Sequence, residues 1–289
     1  MKRTIVALAA LVMLAAVGSA SASTLYKSAN LNGLYVETFQ GPTVGTPIAG
    51  LCVLTFDGIS SLIASQSQCF IVNGSTACLQ YVSGSYAVHS DGTGTISGSL
   101  TAFGPCPSTG FNESFVIQEL SYSTSPNDQA WNVLFTRTDL GAVASGTLVP
   151  QSGGPFKNNS MLGTYDETES GTRGGNTFAA VCEETFNGAG GAVSPYGGVT
   201  GSCTLNIATI GACNYSLSGL YGVATTGSAF NIGTLTLTSG AGCPASLPYE
   251  EVLRILDGTY PNGTFSAGDV TAVEFAPGVI ATGTLLPQE

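Results

Sequence analysis

The residues that could do chemistry in this chain are eighteen carboxylates, eight cysteines and a single histidine. The carboxylates are unevenly spread: residues 23–151 hold seven acids and two bases, residues 158–289 eleven acids and two bases. Part of the excess falls where the first half is apolar, because Val36, Phe39, Val53 and Leu54 correspond to Asp166, Glu169, Glu183 and Glu184. Side chains alternate along a strand, so Tyr165, Glu167 and Glu169 share one face, and Cys182, Glu184 and Phe186 share a face of the next strand. If the Cys and Phe face points inward, Glu184 does too. Glu167, Glu169 and Glu184 together could bind a hard cation through oxygen ligands, Ca²⁺ being the candidate. They could instead supply a raised-pKa acid paired with a base, as in glycoside cleavage, or form a solvated strand face. No other cofactor is called for. Glu37, matched by Glu167, and Glu113, matched by Glu250, recur in both halves.

The cysteines read as disulfides, since their number is even and no Cys-x-x-Cys is present. If Asn73-Gly74 is a two-residue hairpin turn, residues whose numbers add to 147 face each other, and Cys69 then faces Cys78. By elimination Cys52 pairs with Cys106, and by the repeat Cys203 pairs with Cys213 and Cys182 with Cys243. His89 sits beside the hairpin turn expected at Asp91-Gly92, and its counterpart in the second half is Ala224. That favours an exposed strand-end histidine over a catalytic triad.

These residues must be positioned by a repeated framework. Gly33-Leu34-Tyr35 matches Gly163-Thr164-Tyr165, and Cys52 through Gly58 matches Cys182 through Gly188, at an offset of 130. Cys69 matches Cys203 at 134, Cys78 matches Cys213 at 135, and Cys106 matches Cys243 at 137. Offsets that grow in small steps describe a tandem duplication with insertions in loops. The expected organisation is a signal peptide over residues 1–22, one domain over 24–151, a linker over 152–157 and a second domain over 158–289. Within each copy, Val, Ile, Thr, Tyr and Phe runs are separated by Gly every eight to twelve residues, without helical periodicity. The fold class expected is all-β: two tandem antiparallel domains, each an eight-stranded up-and-down barrel of lipocalin-like form, with a β-sandwich as the alternative. Tyr35, Phe56, Tyr86, Phe115, Trp131 and Phe135 are expected in the core, although a ligand cavity would use the same residue types.

The leader has Lys2 and Arg3, an apolar run from Thr4 to Val17, and an Ala20-x-Ala22 cleavage site, as secretory signals do. Its removal takes two of seven bases and no acid, so the formal charge moves from −11 to −13. So few cations cannot neutralise phosphates, which excludes nucleic acid as a partner. No later run is long and apolar enough for a membrane span. The chain is expected to be secreted or periplasmic, or a component of the cell surface.

The stretches Gly33-Leu34-Tyr35, Leu54-Thr55-Phe56-Asp57-Gly58, Gly84-Ser85-Tyr86 to Asp91-Gly92-Thr93-Gly94-Thr95, and Val143-Ala144-Ser145-Gly146-Thr147 resemble a group of small exported proteins of soil bacteria. Their domains carry one "GtY…tFDGxG…GtYxvxxDGtGt…vasGt" unit each. The resemblance implies a barrel and a bacterial exported protein, and it implies no activity; the second copy departs from the pattern at Asn187 and over residues 221–232. The function expected is that of an exported, disulfide-stabilised structural or binding protein. The alternatives are a carrier of a small apolar ligand and a carboxylate-based enzyme such as a glycoside hydrolase.

Overall fold

The structure, a computed structural model, describes residues 26–43, 46–74, 76–103, 106–121, 128–139, 142–190, 195–259, 266–276 and 279–288. The expected signal peptide lies outside the described residues. The first half forms β1 (Asn32–Thr43), β2 (Thr46–Asp57), β3 (Ser61–Leu62), β4 (Gln68–Asn73), β5 (Thr76–Val88), β6 (Thr93–Ala102), β7 (Thr109–Ser121), β8 (Gln129–Asp139) and β9 (Ala142–Pro150). Because β1 pairs with both β2 and β9, the strands β1, β2 and β4–β9 close into an eight-stranded antiparallel barrel. The short β3 bridges β2 and β5.

The second half forms β10 (Gly163–Arg173), β11 (Asn176–Phe186), β12 (Gly197–Ile207), β13 (Gly211–Val223), β14 (Ser228–Ser239), β15 (Ser246–Ile255), β16 (Gly258–Thr259), β17 (Ser266–Ala267), β18 (Val270–Glu274) and β19 (Val279–Pro287). Here β10–β15, β18 and β19 close a second eight-stranded barrel, and β16 and β17 form a separate ribbon. Closure in both halves decides for barrels over the sandwich, and it leaves neither barrel with an open edge strand.

Both barrels are filled by their own side chains, as strand alternation requires. In the first, Phe56 stands edge-on between Tyr35 and Tyr86, with ring centroids 5.4 and 4.9 Å away. The same triplet recurs as Tyr165, Phe186 and Tyr221, at 5.5 and 4.9 Å. Edge-to-face pairs of this kind contribute about 0.5–1.5 kcal/mol beyond area burial. Trp131 is a correction: it is 46% exposed. The β7–β8 register shifts between Ile117 and Leu120, so Ala130 pairs with Leu120 and Asn132 with Glu119, which leaves Trp131 as the extra residue of a bulge. The other five aromatics expected inside are buried.

The disulfide pairing is also a correction. The turn lies one residue later than expected, with Asn73 opposite Thr76, so facing residues of β4 and β5 add to 149. Cys69 therefore faces Gln80, and Cys78 faces Ile71. Across its other edge Cys69 lies directly opposite Cys52 of β2, and these two are bonded, with Cα atoms 3.9 Å apart. Cys78, two positions nearer the turn, reaches Cys106 in the β6–β7 connection instead. The second barrel repeats the scheme as Cys182–Cys203 and Cys213–Cys243. All eight cysteines are thus paired within their own barrel.

The outer faces of the barrels meet along an apolar seam of Val36, Ala49, Leu51, Val72, Val273 and Ile280, with Phe70 edge-on to Phe275 at 5.1 Å. Thr38 and Thr271 share a hydroxyl contact of 3.1 Å beside it, and Thr282 donates to Gln40 at 2.7 Å. Among the described residues no helix is long and apolar enough to cross a membrane.

Candidate functional site

The interior of the second barrel carries the three glutamates singled out by alternation. Glu167 and Glu184 are fully buried and Glu169 is 6% exposed, all pointing inward from β10 and β11. The structure brings Glu167 and Glu184 together with Glu251 of β15: each offers a carboxylate oxygen, and the three oxygens lie within 4.8 Å of one another. Glu169 stands apart from this triplet. It faces Glu274 of β18, which in turn accepts a 2.6 Å ion pair from Arg173 at the end of β10.

Two neutral side chains organise the triplet. Asn231 of β14, fully buried, directs its amide nitrogen at Glu184 and Glu251, at 3.4 and 3.3 Å. Only the nitrogen can face two carboxylates, because the amide oxygen has no proton to offer. Tyr249 of β15 donates to Glu167 at 2.6 Å. Even so, Glu167 Oε1, Glu184 Oε1, Glu251 Oε1 and Asn231 Oδ1 are buried without a hydrogen-bond partner. An unsatisfied buried acceptor costs on the order of 1–3 kcal/mol, and more when charged.

The electrostatics follow from burial. Desolvation pushes the pKa of Glu167 up against the opposing pull of its hydrogen bonds from Glu251 and Tyr249. Glu184 and Glu251 are driven well above the usual carboxylate range, by burial first and by the neighbouring carboxylates second. Glu169 rises for the same reasons, burial first and then repulsion from Glu274 and Glu167. Burial raises Glu274 as well, and Arg173 restrains it. Tyr249 is held far in its neutral form by burial and then by Glu167. Two agents relieve such a cluster: protons, or a cation at its centre.

The first barrel shows what the same scaffold does otherwise. Its buried ionic group is Glu37, Glu113 and Arg137, with Arg137 Nη1 3.9 Å from Glu37 and 3.7 Å from Glu113. The guanidinium stacks on Phe39 and Phe111, 4.8 and 5.0 Å from the ring centres. In register, Glu113 opposes Ile96 and Arg137, whereas Glu251 opposes Asn231 and Glu274. The structural counterpart of Glu113 is therefore Glu251, and the sequence match to Glu250 is corrected. Glu250 lies on the outward side of β15, partly exposed.

Sequence reasoning missed Glu251, Asn231, Tyr249, Glu274 and the two arginines. The signal for Glu251 was present, since one further step of the offset after Cys243 puts Tyr249 in register with Phe111 and Glu251 with Glu113. The others become members only when the barrel closes. His89 is exposed at the end of β5, and its backbone closes a turn with Thr93.

No protein-family model matches the chain, and no curated protein matches it. Among solved structures, one similar chain is a protein of unknown function from the DUF3598 family of Nostoc punctiforme. It is 10% identical over 91% of this chain and 99% of that one, with a TM-score of 0.27. A likeness this loose carries no argument about family or activity.

Proposed function

We propose that this is an exported, disulfide-stabilised binding protein whose second barrel holds a divalent cation, with Ca²⁺ as the ion, between Glu167, Glu184 and Glu251. The observation that carries the reading is the group of buried oxygens on these three residues, one from each within 4.8 Å of the others, with an unpartnered acceptor left on every one. Oxygens bound to one Ca²⁺ at 2.3–2.6 Å lie no more than about 5 Å apart. Three carboxylates binding through both oxygens would supply six ligands, and an all-oxygen set of that size suits a hard cation. Asn231 and Tyr249 hold the carboxylates in place by donating to them. Export is supported by the leader and by the cysteine content, which belong to an oxidising compartment.

The test is an equilibrium titration of the full, oxidised chain after chelator treatment, using Ca²⁺ calorimetry and Tb³⁺ luminescence. One ion per chain is expected, with Tb³⁺ emission sensitised through Tyr249 and lost in Tyr249→Phe. Glu184→Gln should weaken binding at least about tenfold, since it removes a charged ligand. Absence of binding at millimolar Ca²⁺ in the wild-type chain would refute the reading.

A further inference from the structure

One arginine of this protein is buried without an acid beside it. Arg137 has Glu37 and Glu113 as neighbours, and Arg173 grips Glu274. Arg254 of β15 is 2% exposed and pairs with no carboxylate among the described residues. Side chains alternate along β15, so with Tyr249, Glu251 and Leu253 inside the barrel, Arg254 leaves on the outer face, next to Val252 in the seam between the barrels. Its guanidinium donates to Ser228 Oγ and, at 3.4 Å, to Gln151 Oε1, and its Nε is buried without a hydrogen-bond partner. Both acceptors are neutral. A guanidinium has five N–H donors, so these two bonds leave most of them unused.

The first barrel has Val116 at the equivalent position, since Val116 opposes Thr93 as Arg254 opposes Ser228. Val116 is 39% exposed. Burial alone favours the reverse arrangement, with the cation where water reaches and the valine where the barrels meet. Enclosing an unpaired charge is costly, and burial pushes the Arg254 pKa down to about 10 with no acid to hold it up. The group is still a cation at neutral pH. What it lacks is an anion.

Arg254 lines a pocket of about 350 Å³ between the barrels. Leu34, Val53 and Tyr81 of the first barrel supply apolar wall, while Gln66 and Gln68 of the first barrel and Thr226 of the second bring amide and hydroxyl donors. We propose that this pocket binds a small organic monocarboxylate, its carboxylate on the Arg254 guanidinium and its hydrocarbon body against Leu34, Val53 and the Tyr81 ring. The planar fork of a guanidinium matches the two oxygens of a carboxylate. A lone guanidinium in a chain of formal net charge −11 suits a single negative charge better than the double charge of a phosphate. Because the cation comes from one barrel and the apolar wall from the other, the site exists only where the two dock. It is separate from the carboxylates inside the second barrel and does not depend on the cation reading.

The experiment titrates the full, oxidised chain with benzoate by calorimetry, in calcium-free buffer of low ionic strength, with benzamide and inorganic phosphate as comparisons. Benzoate should bind once per chain with a Kd of about 1 mM or tighter. Benzamide, which keeps the ring and lacks the charge, should bind at least about tenfold more weakly, and so should phosphate. Arg254→Met should weaken benzoate at least about tenfold, and exchanging a buried charge for an apolar chain is compatible with folding. Tyr81→Ala, at an exposed wall position, should weaken it about fivefold and decides the matter if Arg254→Met does not fold. Absence of benzoate binding in the wild-type chain would overturn the proposal. Equal binding of benzamide would leave only an apolar pocket, and equal binding of phosphate would refute the assignment to carboxylates. Wild-type affinity for benzoate in folded Arg254→Met, or in Tyr81→Ala, would place the binding elsewhere and overturn it too.

Discussion

The two barrels share a strand plan, a disulfide scheme and an aromatic triplet, yet their interiors balance charge differently. The first encloses two glutamates with an arginine and packs the remainder with Phe39, Leu54, Ile96 and Phe111. The second has Glu169, Glu184, Asn231 and Tyr249 at those four positions and Glu274 in place of the arginine. The lesson is that one closed barrel accepts either a core in which an arginine stands between the buried acids or one in which buried carboxylates gather with only neutral donors beside them. The outward substitutions tell a second story. Val36 is buried in the seam between barrels, while its counterpart Asp166 is exposed. An acid therefore means different things at adjacent positions: Asp166 and Glu183 are solvated, whereas Glu167 and Glu184 are enclosed.

The largest effect that tests this contrast is in the first barrel. Arg137→Met leaves Glu37 and Glu113 enclosed without the guanidinium, and removing one partner of a buried ion pair costs about 3–5 kcal/mol. Denaturant titration should show that loss, and adding Glu37→Gln and Glu113→Gln should restore most of it. A loss below about 1 kcal/mol would mean that the arginine does not neutralise the core.

In the second barrel the missing charge is expected from solution. At a hundredfold excess over Kd, an ion bound only to the folded state adds about 2.7 kcal/mol. Differential scanning calorimetry with Ca²⁺ should raise the unfolding temperature of the second barrel. Glu184→Gln should abolish the rise, and Glu37→Gln in the first barrel should leave it.

Protons offer the competing relief, and the sign of the pH dependence follows from the direction of the shifts. Carboxyls whose pKa rises on folding bind more protons folded than unfolded, so their contribution favours the folded state at acid pH. It declines as pH climbs from the unfolded value near about 4.3 through the raised values of Glu167, Glu169, Glu184, Glu251 and Glu274. In chelator, the second barrel should therefore lose stability across that window, and Ca²⁺ should cancel the loss. A second barrel that is indifferent to pH in chelator would show that its carboxylates are not desolvated.

The smallest effect is the control on the outer face. Glu183→Gln, one residue from Glu184 but exposed, should change stability by no more than about 0.5 kcal/mol and leave the Ca²⁺ response intact. A large effect there would erase the distinction between inward and outward acids.

Much of this was legible from local pattern. The duplication follows from the growing offsets between the copies, and the shared face of Glu167 with Glu169, and of Glu184 with Cys182 and Phe186, follows from a period of two, which each strand carries in its own backbone. The even count of cysteines sufficed to say that all are paired. Misjudging one turn at Asn73-Gly74 moved the facing residues by two and exchanged every disulfide partner. A missed one-residue step after Cys243 likewise placed Glu250 where Glu251 stands. Short-range turn residues favour a hairpin without deciding which of two neighbouring positions starts it, and a one-residue slip reverses the face.

The sequence by itself therefore determined two all-β copies, their cysteine content and which acids share a face of their strand. Only the tertiary structure decided what those acids meet. Glu184 of β11 and Glu251 of β15 come together across the barrel, Asn231 reaches both, and Gly283, lacking a Cβ, leaves room for the Glu167 carboxylate against β19. The physical reason is that alternation is a property of each strand alone. Convergence depends on register and closure, which are set by pairing among all eight strands at once.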